Sequence, residues 1–208
     1  MELRYGPTSP FARKVRVVAI ETGQGDKLKL IRARSMDADT DLGNFNPLVK
    51  VPVLTMDNGR PLYDSPVICD YIDSLHSGTR MIPPSGPERW EALRRAALAD
   101  GMMEAFIAWR IERRRPNTGA GADAAAAAAD RQFRKMENAF DALESEAGEF
   151  QKRPIGIDSI SIACSIGYMD LNGPELGWRD KRPKLAAWYA AFCERPSMKE
   201  TEPEKTPA

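Results

Sequence analysis

The hydrophobic positions of this chain change their period once, a little more than a third of the way along. Before that point short strand-like runs alternate with amphipathic ones. Residues 1–5 give a first strand. Over residues 10–22, Phe11, Val15, Val18 and Ala19 recur at helical spacing, and Gly23 stands where such a helix stops. Residues 28–33 give a second strand. Two more, at 51–56 and 61–63, flank Asp57-Asn58-Gly59, a strong hairpin signal. A helix follows from Ser65, with Pro66 in its first turn and Ile68, Tyr71, Ile72 and Leu75 marking one buried face.

Residues 78–87 hold Gly78, Pro83, Pro84, Gly86 and Pro87 and read as a linker. Everything beyond has helical period. Trp90, Leu93 and Ala97 open a long helix reaching about residue 115, and residues 116–121 form a loop. The alanine run at 124–129 has high helix propensity and leads into Phe133, Met136, Phe140 and Leu143. Residues 160–169 carry no charge and predict a buried central helix. Leu185, Trp188, Tyr189 and Phe192 mark a last helix ended by Pro196, with a loose tail over 201–208. The expected fold class is therefore an α/β thioredoxin-like N-terminal domain (1–77) followed by an all-α C-terminal helical domain (88–208).

Composition narrows the function classes. With 42% hydrophobic and 29% charged residues, the 208-residue chain is an ordinary folded one. Thirty basic residues balance thirty acidic ones, so no global field draws it to nucleic acid or to an anionic membrane. The run Arg113-Arg114-Arg115 reads as a solvated helix end. Cys69, Cys164 and Cys193 match no metal-ligand spacing and read as small buried hydrophobes. Unclustered thiols, no signal-peptide core and no stretch long enough to span a bilayer lead to the expectation of a soluble, cytoplasmic protein without a metal.

Three separated features carry chemistry. Thr8-Ser9-Pro10-Phe11-Ala12 lies where the first strand turns into the first helix. Ser9 and Ala12 stand where a Cys-x-x-Cys pair would sit, so dithiol exchange is excluded there. What remains is a hydroxyl at a helix N-terminus, suited to stabilising a bound thiolate or simply to capping the helix. Val51-Pro52 at the start of a strand fits a cis bond that presents the Val51 backbone to an extended peptide. Asp64-Ser65-Pro66, at the next helix N-terminus, can hold the ammonium and carboxylate of an amino acid, again with capping as the plain reading.

Ser9-Pro10-Phe11, the run from Phe45-Asn46-Pro47-Leu48 through Lys50-Val51-Pro52-Val53-Leu54, and Asp64-Ser65 resemble the glutathione-site motifs of cytosolic glutathione S-transferases. The run from Arg182-Pro183-Lys184-Leu185 to Glu194-Arg195-Pro196-Ser197 resembles that family's last helix. Ala97-Leu98-Ala99-Asp100-Gly101 and Ile162-Ala163-Cys164-Ser165-Ile166-Gly167-Tyr168 are most similar to an uncharacterised bacterial branch.

This resemblance implies glutathione as co-substrate, with Ser9 activating its thiol and Val51 and Pro52 holding its cysteinyl backbone. It further implies that Asp64 and Ser65 hold the γ-glutamyl end, that Lys50 lies near the glycine carboxylate and that Phe11 belongs to the glutathione-binding set. Phe11, Met102, Met103, Phe106 and Arg110 become candidates for an acceptor pocket between the domains. A homodimer is implied too, with Asp100 reaching across to the partner's glutathione. Thr8 remains an alternative thiol partner, as some relatives place the active hydroxyl one residue earlier.

The family's capping box at the start of the buried helix is half missing, since Ser161 is followed by Cys164. His76, the only histidine, reads as a helix C-cap. The leading function is conjugation of glutathione to a hydrophobic electrophile. The alternative is a glutathione-binding adaptor of the same fold without turnover, although an adaptor has no need to keep all three motifs together.

Overall fold

The computed structural model describes residues 1–115 and 121–204; all but the last residue of the loop expected at 116–121, and the end of the tail at 205–208, lie outside them. The first part follows the order β1 (Glu2–Tyr5), α1 (Pro10–Glu21), β2 (Lys29–Arg32), β3 (Val53–Thr55), β4 (Pro61–Leu62), α2 (Ser65–Asp73). The sheet order is β2-β1-β3-β4. β1 runs parallel to β2, with Leu3 opposite Leu30, and antiparallel to β3, with Leu3 opposite Leu54. β3 and β4 form the expected hairpin, closed by the Met56 N–H donating to the Arg60 carbonyl at 3.0 Å.

α1 buries Val15, Val18 and Ala19 completely, each valine contributing about 1.5–3 kcal/mol. The helix ends where the Thr22 hydroxyl donates back to the Val18 carbonyl at 2.8 Å, and Gly23 leaves it at φ 68°.

α2 buries Ile68 and Ile72, but Leu75 does not continue the face: it lies beyond the helix and is 38% exposed. The reason is Asp73, the last helical residue. Its wholly buried carboxylate accepts the backbone N–H groups of Met81 (2.8 Å) and Ile82 (3.0 Å) and pairs with Arg80 (3.1 Å). This turns the chain and seats Met81 and Ile82 in the core. His76 belongs to the same cluster and caps no helix carbonyl, contrary to its reading from sequence. Its Nδ1 accepts from the Gly78 N–H at 3.1 Å, so Nε2 carries the proton facing Asp73 at 3.0 Å.

The second part is helical: α3 (Pro87–Arg113), α4 (Ala122–Phe150), α5 (Ile157–Asn172), α6 (Pro183–Cys193) and α7 (Pro196–Glu200). The alanine run is helical within α4, and Arg113, Arg114 and Arg115 form the exposed end of α3. α5 is the central helix, with Ile160, Ile162, Ala163, Ile166 and Met169 wholly buried.

Two boundaries differ from the sequence reading. α5 is capped at Gly156 rather than Ser161, so Ser161–Cys164 is not its box; the Ser159 hydroxyl, three residues on, accepts the Gly156 N–H at 3.1 Å. Pro196 both ends α6 and opens α7, in the first turn where its missing N–H costs nothing. No described helix is long and apolar enough to cross a membrane.

Candidate functional site

The sheet register decides what meets at the site. Since β1 is parallel to β2 and antiparallel to β3, and β3 is antiparallel to β4, the C-terminal ends of β1, β2 and β4 share one end of the sheet with the start of β3. The chain leaving those ends is 6–9 after β1, 51–52 before β3 and 63–65 after β4. The three sequence motifs are thereby brought to one end of the fold. Gly6 shows how closely two of them approach. A Cβ built on it would lie 3.4 Å from Ser9 Cβ and 3.4 Å from Val51 Cγ2. A methyl group here would just touch both.

Ser9 is the N-cap of α1, and its Oγ accepts from the Ala12 N–H at 3.3 Å. Capping therefore does operate. It uses a lone pair and leaves the hydroxyl proton free to donate, at the positive end of a helix of 12 residues. Neighbouring Thr8 is half-buried and makes no side-chain hydrogen bond to the described residues.

The Val51–Pro52 peptide is cis. Pro52 is buried and Val51 half-buried, and no turn or loop hydrogen bond among the described residues uses the Val51 N–H or carbonyl. That leaves an open backbone edge of the kind that pairs with an extended peptide. The approach to it is held by Asn46, which the sequence reading gave no separate role. Its buried amide accepts the Leu48 N–H at 3.0 Å through Oδ1 and donates to the Lys50 carbonyl at 3.0 Å. Asn before Pro, bonding its own backbone two residues on, is the signal that could have found it. Lys50 itself is exposed, and its ammonium pairs with no carboxylate among the described residues.

Asp64 is the N-cap of α2 by position, yet its side chain bonds none of the free helix N–H groups. It is exposed, so the carboxylate stands available where plain capping was the competing reading. Ser65 beside it is buried.

The five acceptor-pocket candidates divide. Met102, Met103 and Phe106 are enclosed in the helical core, Phe106 stacked on Trp109 at 5.8 Å and edge-on to Tyr168 at 5.8 Å. Packing accounts for Met103 and Phe106, while Met102 also borders a cleft between α3 and α4. Phe11 and Arg110 keep part of their surface, Arg110 donating to the Asn172 side chain at 2.9 Å. Asp100 is engaged within its own chain. Both its oxygens lie 2.7 Å from Lys14 Nζ, an ion pair from α1 to α3 that sequence spacing could not reveal. Among the thiols, burial pushes Cys69 up to about 12 and Cys164 up to about 11, whereas Cys193 is only half-buried. Among the described residues no group of His, Cys, Asp and Glu could hold a metal ion.

Known proteins share both sequence and shape with this chain. Residues 8–75 match the family described as glutathione S-transferase, N-terminal domain, and residues 126–191 match glutathione S-transferase, C-terminal domain. The Escherichia coli (strain K12) protein named "Uncharacterized GST-like protein YibF" is 32% identical over 207 residues, covering 99% of this chain and 100% of that one. A glutathione transferase family member from Pseudomonas fluorescens Pf-5, crystallised with bound glutathione, is 40% identical. It superposes with a TM-score of 0.89 over 98% of each chain. A structure of a Pseudomonas fluorescens Pf-5 family member with bound S-(propanoic acid)-glutathione is also 40% identical, with a TM-score of 0.86 over 98% of this chain and 100% of that one.

Proposed function

Because this chain belongs to the glutathione S-transferase family, we propose that it binds glutathione at the shared end of the sheet and transfers its thiol to a hydrophobic electrophile. The observation that carries this is Ser9: an N-cap hydroxyl with its proton still free to donate, with the side chains of Ser9 and Val51 both close to Gly6. The glutathione-bound relatives at 40% identity support the ligand.

In this reading Val51 pairs its N–H and carbonyl with the cysteinyl backbone, as an added strand would, and Pro52 aims that edge. Asp64 takes the γ-glutamyl ammonium, and Ser65 with the α2 N-terminus takes the adjacent carboxylate. Lys50 lies toward the glycine carboxylate. The thiol proton leaves to solvent, and Ser9 donates to the sulfur and stabilises the thiolate. The thiolate then forms the carbon–sulfur bond while the acceptor releases its leaving group or takes up a proton. Protein and glutathione exchange no covalent bond, so the protein acts by positioning and by thiolate stabilisation.

Phe11 and Arg110 are our candidates for contacts with the acceptor. The relative holding a glutathione substituted at sulfur supports room beside the thiol. Residues 1–77 supply the glutathione site and 88–208 the acceptor side. We further take the protein to be a cytoplasmic homodimer, for which the exposed apolar surface at Val67 (47%) and Trp90 (66%) is suited.

The test is titration of bound glutathione by its ultraviolet thiolate absorbance. The bound thiol is expected about one to two units below its free value of about 8.5, and Ser9→Ala should return it most of the way. A wild-type thiol that binds without any lowering would instead favour the adaptor reading. A lowering that survives Ser9→Ala would transfer the role to Thr8 and the helix dipole.

A further inference from the structure

Arg13, one helical turn beyond Ser9, is a buried cation. Only 8% of the residue is exposed, and no carboxylate among the described residues pairs with it, unlike the neighbouring Lys14. Its Nε and one terminal nitrogen donate to α7 and the residue after it, reaching the Thr201 hydroxyl at 3.4 Å and the Met198 carbonyl at 3.0 Å. The remaining nitrogen, NH1, has no hydrogen-bond partner among the described residues. A buried charge is ordinarily paired, since an isolated one is costly.

That nitrogen borders a half-open cleft of about 430 Å³ between α1, α5, α6, α7 and the residues after α7, a size typical of small-ligand sites, which run from about 300 to 1,000 Å³. Gly167 of α5 marks where the polar groups converge. A Cβ built there would lie 2.7 Å from Arg13 NH1 and 3.0 Å from the Tyr189 hydroxyl. Two donors thus stand within 3.0 Å of one point. Cys193 borders the same space, and its thiol lies within hydrogen-bonding reach of the Tyr189 hydroxyl.

Leu171, Met198 and Pro203 supply apolar wall. Of the acidic groups around the cavity, Asp170 is already held by Arg179 and the Trp178 indole; Glu202 stands exposed at the rim, as does Lys199, which pairs with Glu194. None of the residues given to the glutathione site lines this cavity.

We propose that this cavity is a second binding site, which takes a small apolar carboxylate with its oxygens on Arg13 and Tyr189 and its hydrocarbon part against Leu171 and Met198. The site stands apart from the glutathione reading and does not depend on it.

Cys193 provides the reporter. Its alkylation rate by N-ethylmaleimide is measured on the full chain with octanoate, octanol or octylammonium present, after S-hexylglutathione has been added to fill the other site. Octanoate should slow the reaction at least tenfold, and the neutral and cationic analogues should have little effect. Arg13→Met should abolish the protection while leaving Cys193 reactive. Should that variant fail to fold, the ranking of the three probes on the wild type still decides. Equal protection by octanol, no protection by octanoate, or protection that disappears once S-hexylglutathione is present would each overturn the proposal.

Discussion

At position 9 one oxygen serves two purposes: it accepts the Ala12 N–H and keeps its own proton for a ligand. A cap and a functional hydroxyl are therefore not competing readings of this residue. The thiols show the opposite situation, in which burial alone settles reactivity. Cys69 and Cys164 have no exposed path, and their thiolates are strongly disfavoured, so they should resist thiol reagents until the protein unfolds. Cys193 should react first, slowly, because its thiol too is raised by partial burial. Counting labelled thiols by mass spectrometry before and after denaturation checks this; prompt labelling of Cys69 or Cys164 in native protein would contradict it.

The site residues that could be read from sequence are those whose chemistry is local, such as Ser9 before a helix and Val51 before a proline. Lys14, Arg13 and Gly6 could not be read in this way. Their importance lies in what approaches them from elsewhere: Asp100, Met198 and Thr201, and Val51. Met103 and Phe106 lie buried in the core, and helical spacing does not distinguish a wall of a cleft from a wall of the core.

Among the elements, α2 and the segment after it depend on Asp73. Burial alone would raise this carboxyl, but the Met81 and Ile82 N–H groups, His76 and Arg80 outweigh it and hold the group below the usual carboxylate range. A depressed folded value means that the stabilisation is complete above the unfolded pKa of about 4 and is lost as pH falls through the folded one. Asp73→Ala should cost about 3–5 kcal/mol, since it strands two buried N–H groups and a partly buried guanidinium. It should also flatten the acid limb of the stability–pH curve, as measured by urea unfolding between about pH 3 and pH 7. An unchanged acid limb would show that Asp73 is not the group responsible.

Strand and helix order was legible as far as α6 because each of those elements carries its own period, whereas α7 is too short to show one. The boundaries that moved are those set by partners outside the element. α2 stops where Asp73 reaches Met81 and Ile82, and α5 begins where Gly156 and Ser159 bond each other.

Over the whole molecule α1 is the member that ties the parts together. It packs on α2, α5 and α7, and Lys14 pairs with Asp100 of α3. Unfolding should therefore be a single event. Trp90, Trp109, Trp178 and Trp188 all lie in the helical part, so their fluorescence reports there, whereas glutathione would bind at the sheet. Saturating glutathione is expected to raise the fluorescence and circular-dichroism transitions together, by about 2.7 kcal/mol at a hundred times its Kd. Asp100→Ala should strand the buried Lys14 and separate the two transitions. Two transitions in the wild type would refute this coupling.

The contacts of α7 with α1 have a consequence for how the protein is made. Arg13 finds Met198 and Thr201, and Glu21 finds Arg195 and Ser197, across almost the full length of the chain. During synthesis α1 emerges well before these partners, which lie 174 to 188 residues further along. A nascent chain stopped before residue 195 would carry an arginine and a glutamate on α1 without these partners, so the helix that is made first in this fold is completed only by the arrival of α7.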